Sequence, residues 1–182
     1  MTDLAAVVGV PTAALTDLIA ALAARGLTVA TAESLTGGLL AAVLTEIPGS
    51  SAVVRGGLVV YATELKHQLA DVDAALLAKL GPVDPQVAAA LADGAQRRCG
   101  ADIGIGLTGV AGPDPQDEVP VGTWFCAVSG PGEHRAERHG RPHTITESDL
   151  DGISDAARRG RIRAAAVRGA LDMLANIAAT HS

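Results

Sequence analysis

The passage Thr28-Val-Ala-Thr-Ala-Glu-Ser-Leu-Thr-Gly-Gly38 constrains this chain more than any other. The run from Leu27 to Ala32 is short, apolar and bounded, the pattern of a buried strand. It stops at a polar corner of Glu33, Ser34 and Thr36, residue types able to cap a helix. Gly37 and Gly38 allow the backbone to approach a neighbour closely. Leu39 to Glu46 then reads as a helix that stops before Pro48-Gly49. A strand end feeding a helix start is where open α/β sheets bind ligands. The N–H groups at that helix start favour an anion or a developing oxyanion.

The rest of the chain supplies elements to build such a sheet. Pro11 to Arg25 predicts a first helix with Leu15, Leu18, Ile19 and Leu22 as its apolar stripe and Gly26 as its stop. Val53 to Tyr61 reads as a strand interrupted by Arg55-Gly-Gly57, where glycines imply a bulge or a close approach. Thr63 to Leu69 is a short helix that places Lys66 about one turn from the strand end. Asp73 to Leu80 is another helix, and Asp84-Pro-Gln-Val87 opens a longer one that runs to Arg98 with Asp as cap and Pro in the first position. Asp102 to Leu107 and Val121 to Val128 are strands flanking a Gly/Pro-rich loop from Thr108 to Pro120. Glu133 to Gly140 reads as a polar edge strand, 140–151 as irregular, and Ile153 to Ala179 as a long closing helix.

With 182 residues, no linker and no internal repeat, residues 1–182 form one domain. Hydrophobic residues make up 48% of the chain but aromatics only 2%, so the core is built from Ala, Val, Leu and Ile. A formal charge of -6 argues against general nucleic-acid binding, which needs a basic face to neutralise phosphates. A small anionic substrate is still allowed, with an arginine or backbone N–H groups to hold it. Cys99 and Cys126 are too few for a disulfide framework, and Cys126 sits in an apolar run. Met-Thr-Asp lacks the basic start of a signal peptide, and no run reaches the length of a membrane span, so a soluble cytoplasmic protein without a membrane partner is expected.

Three polar clusters fall at predicted strand ends: Glu33-Ser34, Tyr61 with Lys66, and Thr108-Gly109. Parallel strands bring such ends to one edge. Ser34 is either a nucleophile or the cap of the following helix. Lys66 is either its base, with a pKa lowered by burial or by a neighbouring cation, or a solvated helix residue. Tyr61 is either a proton relay or an aromatic covering the core. Gly104-Ile-Gly-Leu-Thr-Gly109 spells a dinucleotide-binding pattern, but its glycines lie inside a strand and Gly-Pro follows where a helix is required. His134, His139 and His143 are spaced for a strand and an irregular segment, not for one helix face, and no familiar zinc pattern is completed. Arg158, Arg159, Arg161 and Arg163 open the closing helix as a basic face from which one arginine reaches a phosphate or none does.

Taken together, Ala32-Glu-Ser-Leu-Thr-Gly-Gly38, Pro48-Gly-Ser-Ser51, Gly56-Gly-Leu-Val-Val-Tyr-Ala62 with Lys66, Gly104-Ile-Gly-Leu-Thr-Gly-Val-Ala-Gly-Pro113 and Pro120-Val-Gly122 resemble the CinA C-terminal domain family. The likeness spans residues 11 to 179 in order, and Arg159 to Leu174 resembles the family's closing helix. It implies a three-layer α/β/α sandwich around a mixed, mostly parallel sheet of about five strands, similar to an anticodon-binding domain. Stand-alone members of the family are nicotinamide-nucleotide amidases, which convert nicotinamide mononucleotide (NMN) to nicotinic acid mononucleotide and ammonia. The family's usual upstream domain is lacking, so the chain resembles this stand-alone form.

The resemblance implies Ser34 as catalytic serine with Tyr61 and Lys66 as its activating partners, their order in the proton path open. Thr108, Gly109 and Arg159 match family positions near the substrate; Glu33, Thr36, Gly37 and Gly38 at the polar corner are further substrate-binding candidates, and backbone N–H groups near Gly37 and Gly38 are expected to hold the oxyanion. No metal or other cofactor is implied, and a homodimer or larger homo-oligomer is. The chain departs from the family pattern in four places: Leu35 for a usual Cys, Thr63 for Asn, a shorter loop after Pro113, and Ala157-Arg158 for Gly-Asp. These changes are expected at the pocket rim, where they bear on substrate preference. The rival from another class is a pyridine-nucleotide sensor or partner subunit without turnover, and a third reading is a metal-dependent hydrolase built on the late histidines.

Overall fold

Five strands form one sheet in the order β2-β1-β3-β4-β5. The computed structural model describes residues 3–130, 143–144 and 151–179. The strands are β1 (Val29–Glu33), β2 (Val54–Val59), β3 (Ile103–Gly109), β4 (Thr123–Ser129) and the two-residue β5 (His143–Thr144). β1 runs parallel to both β2 and β3, whereas β4 is antiparallel to β3 and to β5. Every residue of β1 is buried, as a central strand covered on both faces requires. The strand proposed over Glu133 to Gly140 lies outside the described residues, as do His134 and His139. His143 falls in β5.

Helices cover both faces. On one side lie α1 (Leu4–Val8), α2 (Thr12–Ala24), α3 (Leu39–Thr45) and α7 (Asp155–Ala179), packed on Val29, Ile103, Ile105, Leu107 and Trp124. On the other lie α4 (Thr63–Ala70), α5 (Ala74–Leu80) and α6 (Pro85–Cys99), packed on Ala30 and Ala32. This is the expected three-layer α/β/α sandwich. Strand alternation makes the partition, because successive side chains leave opposite faces.

Local chemistry accounts for the helix limits. Asp84 accepts a hydrogen bond from the Gln86 N–H at 2.7 Å, Pro85 opens α6, and Gly100 closes it in a left-handed conformation. Asp73 caps α5 in the same way through the Ala75 N–H. The sequence pattern missed α1, a single turn and a half capped by Asp3. Such a helix is too short to display a period, and its burial against α7 holds it in place.

The G-x-G-x-x-G stretch proves to be a packing device. A Cβ on Gly104 would stand 2.0 Å from the Ala92 carbonyl oxygen, and one on Gly106 would stand 2.1 Å from that of Ala88. The glycines of β3 therefore let α6 lie directly on the strand backbone. No phosphate-binding turn is formed there.

Candidate active site

Three strand ends meet at one edge of the sheet, because β1, β2 and β3 are parallel neighbours. Ser34 follows β1 and is anchored by its N–H, which donates to the Leu107 carbonyl of β3 at 2.9 Å. Alternation sends Glu33 to the α3 face and Ser34 to the α4 face. There the Lys66 Nζ donates to the Ser34 Oγ at 3.0 Å. The other two ammonium hydrogens are taken by the carbonyl oxygens of Val60 at 3.0 Å and Tyr61 at 3.3 Å.

Lys66 is 1% exposed, and among the described residues no carboxylate pairs with it. Burial disfavours the charged form and lowers its pKa from 10.5 to about 8, with only a smaller opposing pull from Glu64. A lysine in this state accepts a proton near neutral pH. When neutral, its lone pair takes the hydroxyl hydrogen of Ser34, while its two N–H groups still serve the two carbonyls. Chemically, this arrangement can serve as a nucleophile–base pair.

Beside Ser34 lies a cavity of about 280 Å³. Ser34 and Leu35 form one wall, and Tyr61, Ala62 and Thr63 form another. The turn from Gly109 to Gly112 closes a third, and Asp114, Gln116 and Arg159 stand around the rim. Arg159 reaches over from α7, donating to the Gly112 carbonyl and, at 3.2 Å, to the Tyr61 phenol oxygen.

The structure places the other expected site residues as follows. Tyr61 shares the cavity with Ser34, but the residue is 60% exposed and its phenol is bonded to Arg159. The part of Tyr61 that touches Lys66 is its carbonyl. Glu33 is fully buried behind the sheet edge and does not line the cavity. Its carboxylate accepts the N–H groups of Leu40 at 3.0 Å and Ala41 at 2.9 Å, and the Thr31 hydroxyl at 3.0 Å. The start of α3 is therefore occupied by the chain's own anion.

Gly37 and Gly38 do not line the cavity either. The Gly37 N–H is spent on the Ser34 carbonyl at 3.0 Å. With φ of 58° and 89° respectively, the two glycines make the left-handed turn between Ser34 and α3. Thr36 is buried away from the cavity, and its carbonyl is held by Arg163. Thr108 turns to the α6 face, where its hydroxyl donates to the Pro82 carbonyl at 2.6 Å. Of the expected substrate contacts, Gly109 and Arg159 do line the cavity.

The departures from the family pattern sort in the same way. Leu35 is 4% exposed and belongs to the core while also lining the cavity, and Thr63 and Asp114 line it too. The Arg163 contact with the Ser34 turn was not foreseen. Its only sequence signal is its position four residues beyond Arg159, on the same helix face. Among the described residues no group of three or more potential metal ligands occurs, and no helix is long and apolar enough to cross a membrane.

The profile of the CinA C-terminal domain matches residues 12–178. A CinA-like protein of Frankia casuarinae is 46% identical over 150 residues, covering 82% of this chain and 31% of that protein. The chain thus spans about a third of the length of the curated relatives it matches. Among solved structures, the competence/damage inducible protein CihA of Agrobacterium tumefaciens superposes with a TM-score of 0.77 at 36% identity, covering 91% of this chain and 94% of that one. The competence damage-inducible protein A of Klebsiella pneumoniae gives 0.78 at 31% identity, covering 94% and 99%.

Proposed function

This chain belongs to the CinA C-terminal domain family, and from that premise we propose that it is a serine amidohydrolase acting on the carboxamide of NMN. The observation that carries the reading is the 3.0 Å contact between the Lys66 amine and the Ser34 hydroxyl, beside a cavity. The cavity, at about 280 Å³, is at the small end of ligand sites, which run to roughly 1,000 Å³, and suits one nucleotide better than two. Its rim carries one carboxylate, Asp114, and one guanidinium, Arg159. NMN brings a cationic pyridinium ring and an anionic phosphate, a matching pair.

In the first step Ser34 Oγ attacks the carboxamide carbon as its proton passes to neutral Lys66. The carbonyl π electrons move to oxygen, giving a tetrahedral oxyanion. Collapse of that species breaks the C–N bond, and Lys66 returns the proton to the departing nitrogen, which leaves as ammonia. Water then attacks the acyl-serine, giving its proton to Lys66, and the ester bond breaks to release nicotinic acid mononucleotide and restore Ser34. A positioned base of this kind contributes on the order of 10²- to 10⁴-fold. Arg159 holds the phosphate, with Tyr61 steadying the guanidinium. A homo-oligomeric state is part of the proposal, and light scattering tests it.

Ammonia release from NMN by purified protein tests the reading. Ser34→Ala is expected to lower it on the order of 10³-fold or more with the fold retained. Wild-type protein that binds NMN tightly in calorimetry and releases no ammonia favours the sensor reading. Full activity in Ser34→Ala overturns the serine mechanism.

A further inference from the structure

Arg163 follows Arg159 by one turn of α7 and points its guanidinium at the Ser34 turn. Its Nε and Nη2 donate to the Thr36 carbonyl at 3.2 and 2.7 Å. A peptide unit is planar and trans, so this carbonyl and the Gly37 N–H are opposite ends of one plane. The Gly37 N–H donates to the Ser34 carbonyl. That carbonyl in turn shares its plane with the Leu35 N–H, which points the opposite way. Two rigid planes therefore connect the guanidinium to the amide that follows the nucleophile.

The Leu35 side chain is committed to the core, yet Leu35 lines the cavity. Its main chain is what remains for a ligand, and among the described residues its N–H donates to no acceptor. Of the two glycines expected to hold an oxyanion, Gly37 donates to Ser34 and Gly38 does not line the cavity, and farther into the helix start Leu39 is engaged by Thr36, and Leu40 and Ala41 by Glu33.

We propose that the Leu35 N–H is the oxyanion donor and that Arg163 is the positioning residue that aims it. The inference rests on the acyl-transfer reading of the site, not on NMN as substrate. The Arg163 charge polarises the Thr36–Gly37 peptide and strengthens the bond its N–H makes to Ser34. That bond stops the Ser34–Leu35 plane from rocking, so the donor is in place before charge develops. One oxyanion donor is typically worth about 10²- to 10³-fold in kcat, and mis-aiming it forfeits part of that.

The test compares wild type, Arg163→Met and Arg163→Lys by two readouts. One is the rate at which a phosphonofluoridate probe labels Ser34, a reaction in which an Oγ–P bond forms, fluoride leaves and charge builds on the phosphoryl oxygen. The other is steady-state turnover of NMN across pH. Arg163→Met is expected to lose about 10- to 100-fold in labelling rate and in kcat, with KM within about 3-fold and the pH midpoint unmoved. Arg163→Lys keeps one cationic donor and is expected to recover part of the loss; if Arg163→Met does not fold, Arg163→Lys carries the comparison. Labelling at the wild-type rate in the folded variants overturns the proposal. So does a raised KM at constant kcat, which makes Arg163 a substrate contact, or a shifted pH midpoint, which makes it act through Lys66. Wild-type protein that labels at Ser34 but releases no ammonia from NMN sinks the substrate reading alone, and the labelling comparison still decides the role of Arg163. No labelling of wild type overturns both.

Discussion

The Lys66 amine lies 3.0 Å from the Ser34 hydroxyl, although 32 positions separate them in the chain. β1 delivers the serine and α4 the lysine, and both are buried where they meet. In the proposed mechanism the contact couples chemistry to pH, because only the neutral amine can take the serine proton. With a pKa of about 8, about a tenth of Lys66 is neutral at pH 7. Activity is therefore expected to rise with pH along a limb centred near 8 and then to level. Lys66→Arg keeps the cation but cannot deprotonate, and is expected to lose on the order of 10²- to 10⁴-fold at every pH. A flat profile through pH 8, measured as kcat/KM, argues against Lys66 as the base.

Stability should follow pH through the same residue. The folded value of about 8 lies below the unfolded 10.5, so the folded chain carries fewer protons between these values. The cost of burying the ammonium is present in full below pH 8 and is relieved as pH rises toward 10.5. From pH 7.5 to 9.5, wild type is expected to gain about 2 kcal/mol relative to Lys66→Met. Urea unfolding of both proteins at the two pH values measures this difference, and a constant gap would contradict it.

Tyr61 offers a clean separation of main chain from side chain. Tyr61→Phe keeps the carbonyl that receives the Lys66 hydrogen and removes only the phenol bonded to Arg159. Its expected effect is a raised KM for NMN with kcat lowered less than about 5-fold. A phenol that relays the proton predicts instead a loss on the order of 10²-fold or more in kcat.

Glu33→Gln and Thr108→Val should behave as stability variants. The glutamine presents an NH₂ group to the N–H groups of Leu40 and Ala41, or leaves one of them unpaired, and is expected to cost about 2–3 kcal/mol. Thr108→Val removes the donor to Pro82 and is expected to cost about 1–2 kcal/mol with KM unchanged. Chemical denaturation and substrate titration of each variant decide between this role and direct substrate contact, which predicts a raised KM at wild-type stability.

How far the chain could be read from its residues differs between Ser34 and its neighbours. The strand, the corner and the glycine turn around Ser34 are local patterns, so their existence and order were legible. Glu33 and Thr36 have the right chemistry for a ligand, and nothing local says which way they face. The Lys66 pKa was open for the same reason: a lysine on a short helix reads alike whether it is solvated or buried.

The sequence by itself determined strands β1 to β4, helices α2 to α7, the Asp84 cap of α6, the low-aromatic core, and the three polar strand ends, because these depend on period, capping and composition within a few residues. Only the tertiary structure decided which polar groups are spent on the protein itself. Strand alternation turned Glu33 to α3 and Ser34 to Lys66. The packing of α7 brought Arg159 to Gly112 and Arg163 to the Ser34 turn, more than 120 positions away from Thr36 in the case of Arg163. Hydrogen-bond partners at such separations follow from how layers stack, and stacking depends on contacts that no local window contains.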